Sequence, residues 1–230
     1  MRFVYGCVVA LALAVAMPSG MNAQEQESAR KVAGGGISVA GWKGTVDPTE
    51  KTATVNDAKL SKEGDVLHVT TGPAITYWNP SNTASGDYTV KATFTEPKYM
   101  NLNDHPHPYG IVIAGNDMGT PDETYLYCAA YGNGTFIVRG FGPAPFQLNG
   151  RRGEPNDAVH KAAGQGQSVT QEIAMSVKGD KVECAINGTV VASYPKSEVV
   201  GAGKLKSTDG VYGIRFAHNT EGTVRGLTKQ

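Results

Sequence analysis

Apolar and polar residues alternate with a period of two through much of the chain. Tyr88, Val90, Ala92 and Phe94 are interleaved with Thr89, Lys91, Thr93 and Thr95, the pattern of a strand with one buried face. Short β-branched runs bounded by Gly or Pro predict further strands over 66–70, 74–78, 109–114, 124–131, 135–141, 169–177, 182–186, 189–194, 211–217 and 223–228. Asn133-Gly134 and Asn187-Gly188 separate consecutive runs and predict two-residue hairpin turns, in which both central residues take positive φ. Each pair also begins an Asn-x-Thr sequon, for which turn chemistry is a sufficient explanation. Residues 151–164 break the alternation and read as a long decorated loop, with a short helical turn over 155–164 stopped by Gly164. A second helical turn is expected at 196–200. Short strands with turns every eight to twelve residues, and no alternation with long helices, predict an all-β antiparallel two-sheet sandwich.

Composition supports this. The 230 residues include 29 glycines and 12 prolines, and 40% are apolar; so many turn-formers favour short strands, and the length suits one domain with a real core. Residues 1–23 read as an export signal, with Arg2, an apolar run from Val8 to Met17, a break at Pro18-Ser19-Gly20, and Ala23 before cleavage. Residues 24–36 read as a flexible linker, leaving 37–230 as the domain. The apolar run is short for a bilayer span, so the expected product is exported, periplasmic or extracellular, without membrane insertion in the mature form. There are 21 basic and 21 acidic residues, and Arg2 is the one charged residue of the signal, so cleavage leaves a net charge of −1. Such a chain has no long-range attraction to a phosphate backbone, and nucleic acid is not the expected partner. Cys128 and Cys184 both point inward by alternation. They permit one disulfide in an exported protein, and two buried thiols are equally compatible.

The densest mixture of polar chemistry and strand pattern lies between Tyr99 and Arg152. Alternation sends Leu126, Cys128 and Ala130 to one face and Tyr125, Tyr127 and Tyr131 to the other. Phe136 and Val138 oppose Ile137, Arg139 and Phe141, and Ile214 and Phe216 oppose Arg215. One face therefore carries Tyr127, Arg139 and Arg215 together, pairing flat aromatic surface with oriented donors. The run Asn101-Leu102-Asn103-Asp104-His105-Pro106-His107-Pro108 is stiffened by two prolines. Its histidines, two apart, point the same way in an extended segment, which suits proton transfer or a metal; a rigid surface loop whose histidines cap strand ends is the plainer account. Asn103 and Asp104 would add ligand contacts or instead supply oxygens to calcium. Arg151 and Arg152 suit a carboxylate or sulfate, and His160 joins Gln147 and Asn149 in the same irregular segment. Asn116-Asp117 and Asp122-Glu123 bracket a Gly-Pro-containing turn compatible with calcium, although turn formation also accounts for them. No cofactor is otherwise expected. The Glu-x-Asp-x-Glu pattern of a retaining glucanase is absent, and Glu172 and Glu183 are isolated on their strands.

The run Val182-Glu183-Cys184-Ala185-Ile186-Asn187-Gly188-Thr189-Val190-Val191-Ala192 resembles a hairpin of the concanavalin A-like lectin/glucanase superfamily, and Gly210-Val211-Tyr212-Gly213-Ile214-Arg215-Phe216-Ala217-His218 resembles its late strand. Within it, Gly41-Trp42 and Val224-Arg225-Gly226-Leu227 are similar to exported bacterial 3-keto-disaccharide hydrolase-type domains. The resemblance implies a jelly-roll sandwich that binds a carbohydrate or glycoside on a concave face. It also implies glycoside processing by elimination beside a ketone, with His105, His107 or Tyr127 as base and Arg139 as electrophilic clamp. Asn103, Asp104, Arg151, Arg152, His160 and Arg215 would be ligand contacts. A non-catalytic binding or adhesion module is the alternative, and a uronate polysaccharide lyase is a third reading.

Overall fold

Alternation becomes two packed sheets in a computed structural model that describes Met1 and residues 29–230. The expected export signal lies outside the described residues. The strands are β1 (Gly36–Ile37), β2 (Lys43–Val46), β3 (Ala58–Glu63), β4 (Val66–Thr71), β5 (Ile75–Ala84), β6 (Tyr88–Glu96), β7 (Tyr109–Asn116), β8 (Thr124–Tyr131), β9 (Thr135–Phe141), β10 (Phe146–Gln147), β11 (Glu154–Pro155), β12 (Val169–Lys178), β13 (Lys181–Ile186), β14 (Thr189–Pro195), β15 (Gly210–Phe216) and β16 (Glu221–Lys229), with one helical turn α1 (Lys196–Val199). One sheet has the order β1-β3-β4-β16-β6-β12-β13-β14. The other runs β10-β9-β8-β7-β15-β5-β2, with β11 also paired to β9. The short β1–β3 pairing is parallel; the other pairings are antiparallel. This is the expected jelly-roll sandwich. Among the described residues no helix is long and apolar enough to cross a membrane.

The inward residues meet as the pattern requires. Val90, Ala92 and Phe94 from β6, Leu126 and Cys128 from β8, Val138 from β9, and Ile214 and Phe216 from β15 are buried in one core. Cys128 and Cys184 are bonded, with their Cα atoms 6.1 Å apart. Because β8 and β13 belong to different sheets, the bond staples the sandwich across its interior.

The departures from expectation have local causes. Asn187 and Gly188 both take positive φ (50° and 83°), and Ile186 pairs with Thr189, as a two-residue turn requires. At the other hairpin Tyr131 pairs with Thr135, so the loop has three residues and only Gly134 (φ 89°) takes positive φ. Asn133 instead bridges to Lys161. The helical turn expected over 155–164 does not form. Glu154–Pro155 pairs with β9, and the Ala162 N–H donates to Gly132 O at 2.8 Å, so this backbone satisfies itself on the sheet edge and hairpin. The lead-in expected to be flexible up to residue 36 is docked at its end: the Arg30 N–H donates to Asn219 Oδ1 at 2.8 Å, and β1 pairs with β3.

The staple closes a loop of 56 residues, which chain-entropy accounting values at about 4 kcal/mol. Reducing it, or replacing Cys128 and Cys184 together by Ala, is expected to lower stability by about 2–5 kcal/mol, read as a fall in the urea midpoint. An unchanged midpoint would show that packing alone holds the sheets.

Candidate functional site

The site lies on the face of β7, β8, β9 and β15 that points away from the core. Strand pairing sets Arg139 directly opposite Tyr127 and Arg215 opposite Thr76. This outer face is no solvated surface. Val112, Tyr125, Tyr127, Ala129, Ile137 and Phe141 form a second buried cluster on it, with Tyr127 only 4% exposed. Arg215 is laid over two of these rings, its guanidinium carbon 4.8 Å from the Tyr127 centroid and 5.0 Å from that of Phe141.

A guanidinium buried to 7% exposure needs its charge and donors matched. Arg215 Nη1 donates to Asp47 Oδ1 at 2.6 Å and Nη2 to Asp47 Oδ2 at 2.5 Å, while Nη1 also reaches Thr76 Oγ1 (3.1 Å) and Tyr125 Oη (3.2 Å). The two parallel bonds to one carboxylate are the strong fork geometry. They fix residue 47, just beyond β2, onto the sheet face. The fork expected to contact ligand is thus taken up largely within the protein, and the Tyr127 ring already carries a cation.

Arg139 is half-buried. Its Nη2 donates to the Arg151 carbonyl at 2.5 Å, which binds the irregular segment to β9, while its Nε is buried without a hydrogen-bond partner. Gly140 allows this segment to fold back, since a Cβ there would lie 2.0 Å from the Phe146 ring. Arg151 and Arg152 are exposed. Among the described residues, neither they nor Arg139 forms an ion pair.

The histidine loop meets the end of β15. The Ala217 N–H donates to Pro108 O at 3.0 Å, and His107 Nδ1 donates to the His218 carbonyl at 2.6 Å. His107 Nε2 lies 2.8 Å from His105 Nε2, and His105 Nδ1 lies 2.6 Å from Asp104 Oδ1. The His218 ring sits edge-on to His107 at 4.1 Å, with Glu50 Oε1 3.8 Å from its Nδ1. Burial pushes the His107 pKa down to about 4, helped by the neighbouring His218 and opposed by its backbone bond.

Two adjoining cavities open here, of 640 and 410 Å3, sharing Asp47, Tyr127, Arg139 and Arg215 as common wall. The smaller adds His105, His107, His218, Tyr131, Arg151 and Arg152; the larger adds Phe141 and a rim of prolines. Alternation thus correctly gathered Tyr127, Arg139 and Arg215, and the loops bring His105, His107, Arg151 and Arg152 to them. Asp104 acts behind His105. Asn103 is buried and lines neither cavity, and His160 stands apart, its Nδ1 donating to Thr170 O at 2.8 Å. In the Asn116–Glu123 turn, Asp117 pairs with Lys206 and Glu123 accepts the Gly119 N–H at 2.9 Å. Among the described residues these acids form no converging group; the histidines do. Sequence reading missed Asp47, Glu50 and His218. Asp47 precedes a proline and His218 ends a strand motif, but nothing local marks either as a partner of this face.

No family model matches the chain, and no curated protein matches it in sequence. Solved structures do share its fold. The carbohydrate binding module CBM66 from Bacillus subtilis is 10% identical with a TM-score of 0.54, covering 84% of this chain and 98% of that one. A Bacillus subtilis protein of unknown function with a galectin-like fold is 13% identical with a TM-score of 0.53, covering 82% and 88%. The likeness is one of architecture alone, that of a two-sheet jelly-roll sandwich.

Removing one partner of a buried ion pair leaves the other charge stranded. Asp47→Ala is expected to cost about 3–5 kcal/mol, and the double variant Asp47→Ala/Arg215→Met less than the two single costs added, by chemical denaturation. Additive costs would mean the pair is not coupled.

Glu96 ends β6 and accepts the Met100 N–H at 3.0 Å, starting the loop that carries the histidines. Burial, reinforced by Glu221 and opposed by that bond, pushes its pKa up to about 7 from an ordinary 4.5. The native state then holds a proton that the unfolded chain releases, so stability falls as pH rises from about 4.5 to 7. Glu96→Gln is expected to remove a pH-dependent loss of about 3 kcal/mol across that window; identical pH–stability curves for the variant and the parent would refute the buried neutral carboxyl.

Proposed function

We propose that this chain binds an acidic carbohydrate in the cleft above Tyr127 and Tyr131, with Arg139, Arg151 and Arg152 receiving its carboxylate or sulfate. The carrying observation is that these three arginines border one 410 Å3 cavity and none has an acidic partner among the described residues. Guanidinium groups match such anions with two parallel donors. The cavity sizes are those of small-ligand sites. A carbohydrate binding module is among the chains sharing this architecture, which supports a sugar as the ligand class.

A second reading, favoured by the histidine pair beside those arginines, is that the bound glycoside is also processed. In 3-keto-glycoside chemistry a base removes the proton next to the ketone, and the glycosidic oxygen leaves from the adjoining carbon with the bonding pair. The Arg139 side would stabilise the enolate, and water would then add to the unsaturated sugar. In a uronate the same elimination acts next to the carboxylate.

Thermal shift and calorimetry against uronate, sulfated, neutral and 3-keto sugars test both readings. Acidic oligosaccharides are expected to raise the melting temperature in a salt-sensitive way, and Arg151→Ala/Arg152→Ala to weaken binding at least about tenfold. Equal response to neutral sugars, or none to any acid, overturns the acidic-ligand reading. Turnover of a 3-keto glycoside establishes the second reading, and an ultraviolet-absorbing product from a uronate selects the lyase variant. Binding without product leaves a recognition module.

A further inference from the structure

From the convergence of three imidazoles on one cavity wall, we propose that His105, His107 and His218 hold a divalent transition-metal ion of the zinc class, with open coordination positions facing the 410 Å3 cavity. A backbone carbonyl can only accept, so the 2.6 Å contact of His107 Nδ1 with the His218 carbonyl places the proton on Nδ1. The ionised Asp104 carboxylate does the same for His105 Nδ1 at 2.6 Å. With both rings neutral, the two Nε2 atoms are lone-pair nitrogens facing each other at 2.8 Å. That approach needs either a proton, carried as an Nε2–H by a doubly protonated His105, or a metal ion between them.

The geometry fits a metal. With bonds of about 2.0–2.1 Å, nitrogens this far apart subtend roughly a right angle at the ion. The third imidazole is in place, because the three residues' ligating nitrogens all lie within 4.8 Å of one another. An oxygen also stands behind each ring. Asp104 and the His218 carbonyl accept from His105 and His107, and Glu50 lies 3.8 Å from His218 Nδ1. Such outer carboxylates and carbonyls fix the tautomer and orientation of metal-bound histidines. The frame is stiff: Pro106 and Pro108 flank His107, and Pro108 is tied to Ala217. Imidazole ligands suit zinc, copper, iron, cobalt and nickel over calcium or magnesium.

All three histidines line the cavity, so a bound ion would present its free positions to whatever enters. The metal site stands without the sugar reading, since its ligands come from the protein alone. If a glycoside is also processed, the ion would act there as a Lewis acid.

The test uses the purified protein free of any polyhistidine tag, titrated with Co2+ and Zn2+. One equivalent of Co2+ is expected to give a visible d–d spectrum that Zn2+ bleaches, and EDTA to lower the melting temperature of the zinc-loaded protein. His105→Ala, with a half-buried ring, should weaken Co2+ binding at least about a hundredfold, and Asp104→Asn about tenfold, both with an unchanged far-ultraviolet circular dichroism spectrum. No saturable spectrum in the parent protein, or binding indifferent to His105→Ala and His218→Ala, overturns the site. If His105→Ala does not fold, His218→Ala and the parent titration decide. Metal binding without any sugar response would leave this inference standing and sink the acidic-carbohydrate reading.

Discussion

A single positive charge held on the outer face of a β-sheet organises this molecule. Arg215 sits on β15, between β7 and β5, where a strand would ordinarily present a side chain to solvent. Instead its guanidinium lies across Tyr127 and Phe141 and is neutralised by Asp47 from beyond β2. A buried pair of this kind is a weak source of net stability, but a shifted register would leave either charge unpaired in a poorly solvated place. Here the pairing holds the 47–51 segment against the sheet. Together Asp47 and Arg215 form part of the wall shared by both cavities.

That arrangement explains why the central strands are buried on both faces. In β7 and β8 nearly every residue is buried, as in sheets covered on each side. The inner face packs against the other sheet through Leu126 and Cys128, while the outer face is closed by Arg215 and Phe141. The disulfide from Cys128 to Cys184 anchors the sheet from beneath. The candidate site therefore rests on a rigid floor, and its adaptable parts are the surface arginines and loop ends.

Much of the fold is legible in the sequence because alternation is a local signal. β9 occupies the expected residues, and β6, β12 and β15 differ by a residue or two. β1, β2, β10 and β11 were not legible: each has four residues or fewer and exists only because a longer neighbour offers unpaired backbone groups. β3 is half-polar, Ala58-Lys59-Leu60-Ser61-Lys62-Glu63, and its pairing with β4 decides it. The site divides the same way. Tyr127, Arg139 and Arg215 were read from which way strands point their side chains. His218 is 111 positions from His107, and Asp47 is 168 from Arg215. Such partnerships arise from topology, and no window along the chain contains them.

The two cavities differ in chemistry, and the difference bears on how a ligand would lie. The smaller gathers the histidines, Arg151 and Arg152, while the larger is bordered by Phe141, Pro48, Pro121, Pro143 and Pro145. Because Asp47 cancels Arg215, the excess positive charge of the cleft lies at the histidine end. Arg139, reaching both cavities, continues it to the boundary. An anionic group would therefore be drawn to one end, and a neutral or apolar extension would lie against the prolines. The buried ion pair does more than hold a loop: by silencing the most central cation, it leaves the field of the cleft to the peripheral ones and gives the groove a direction.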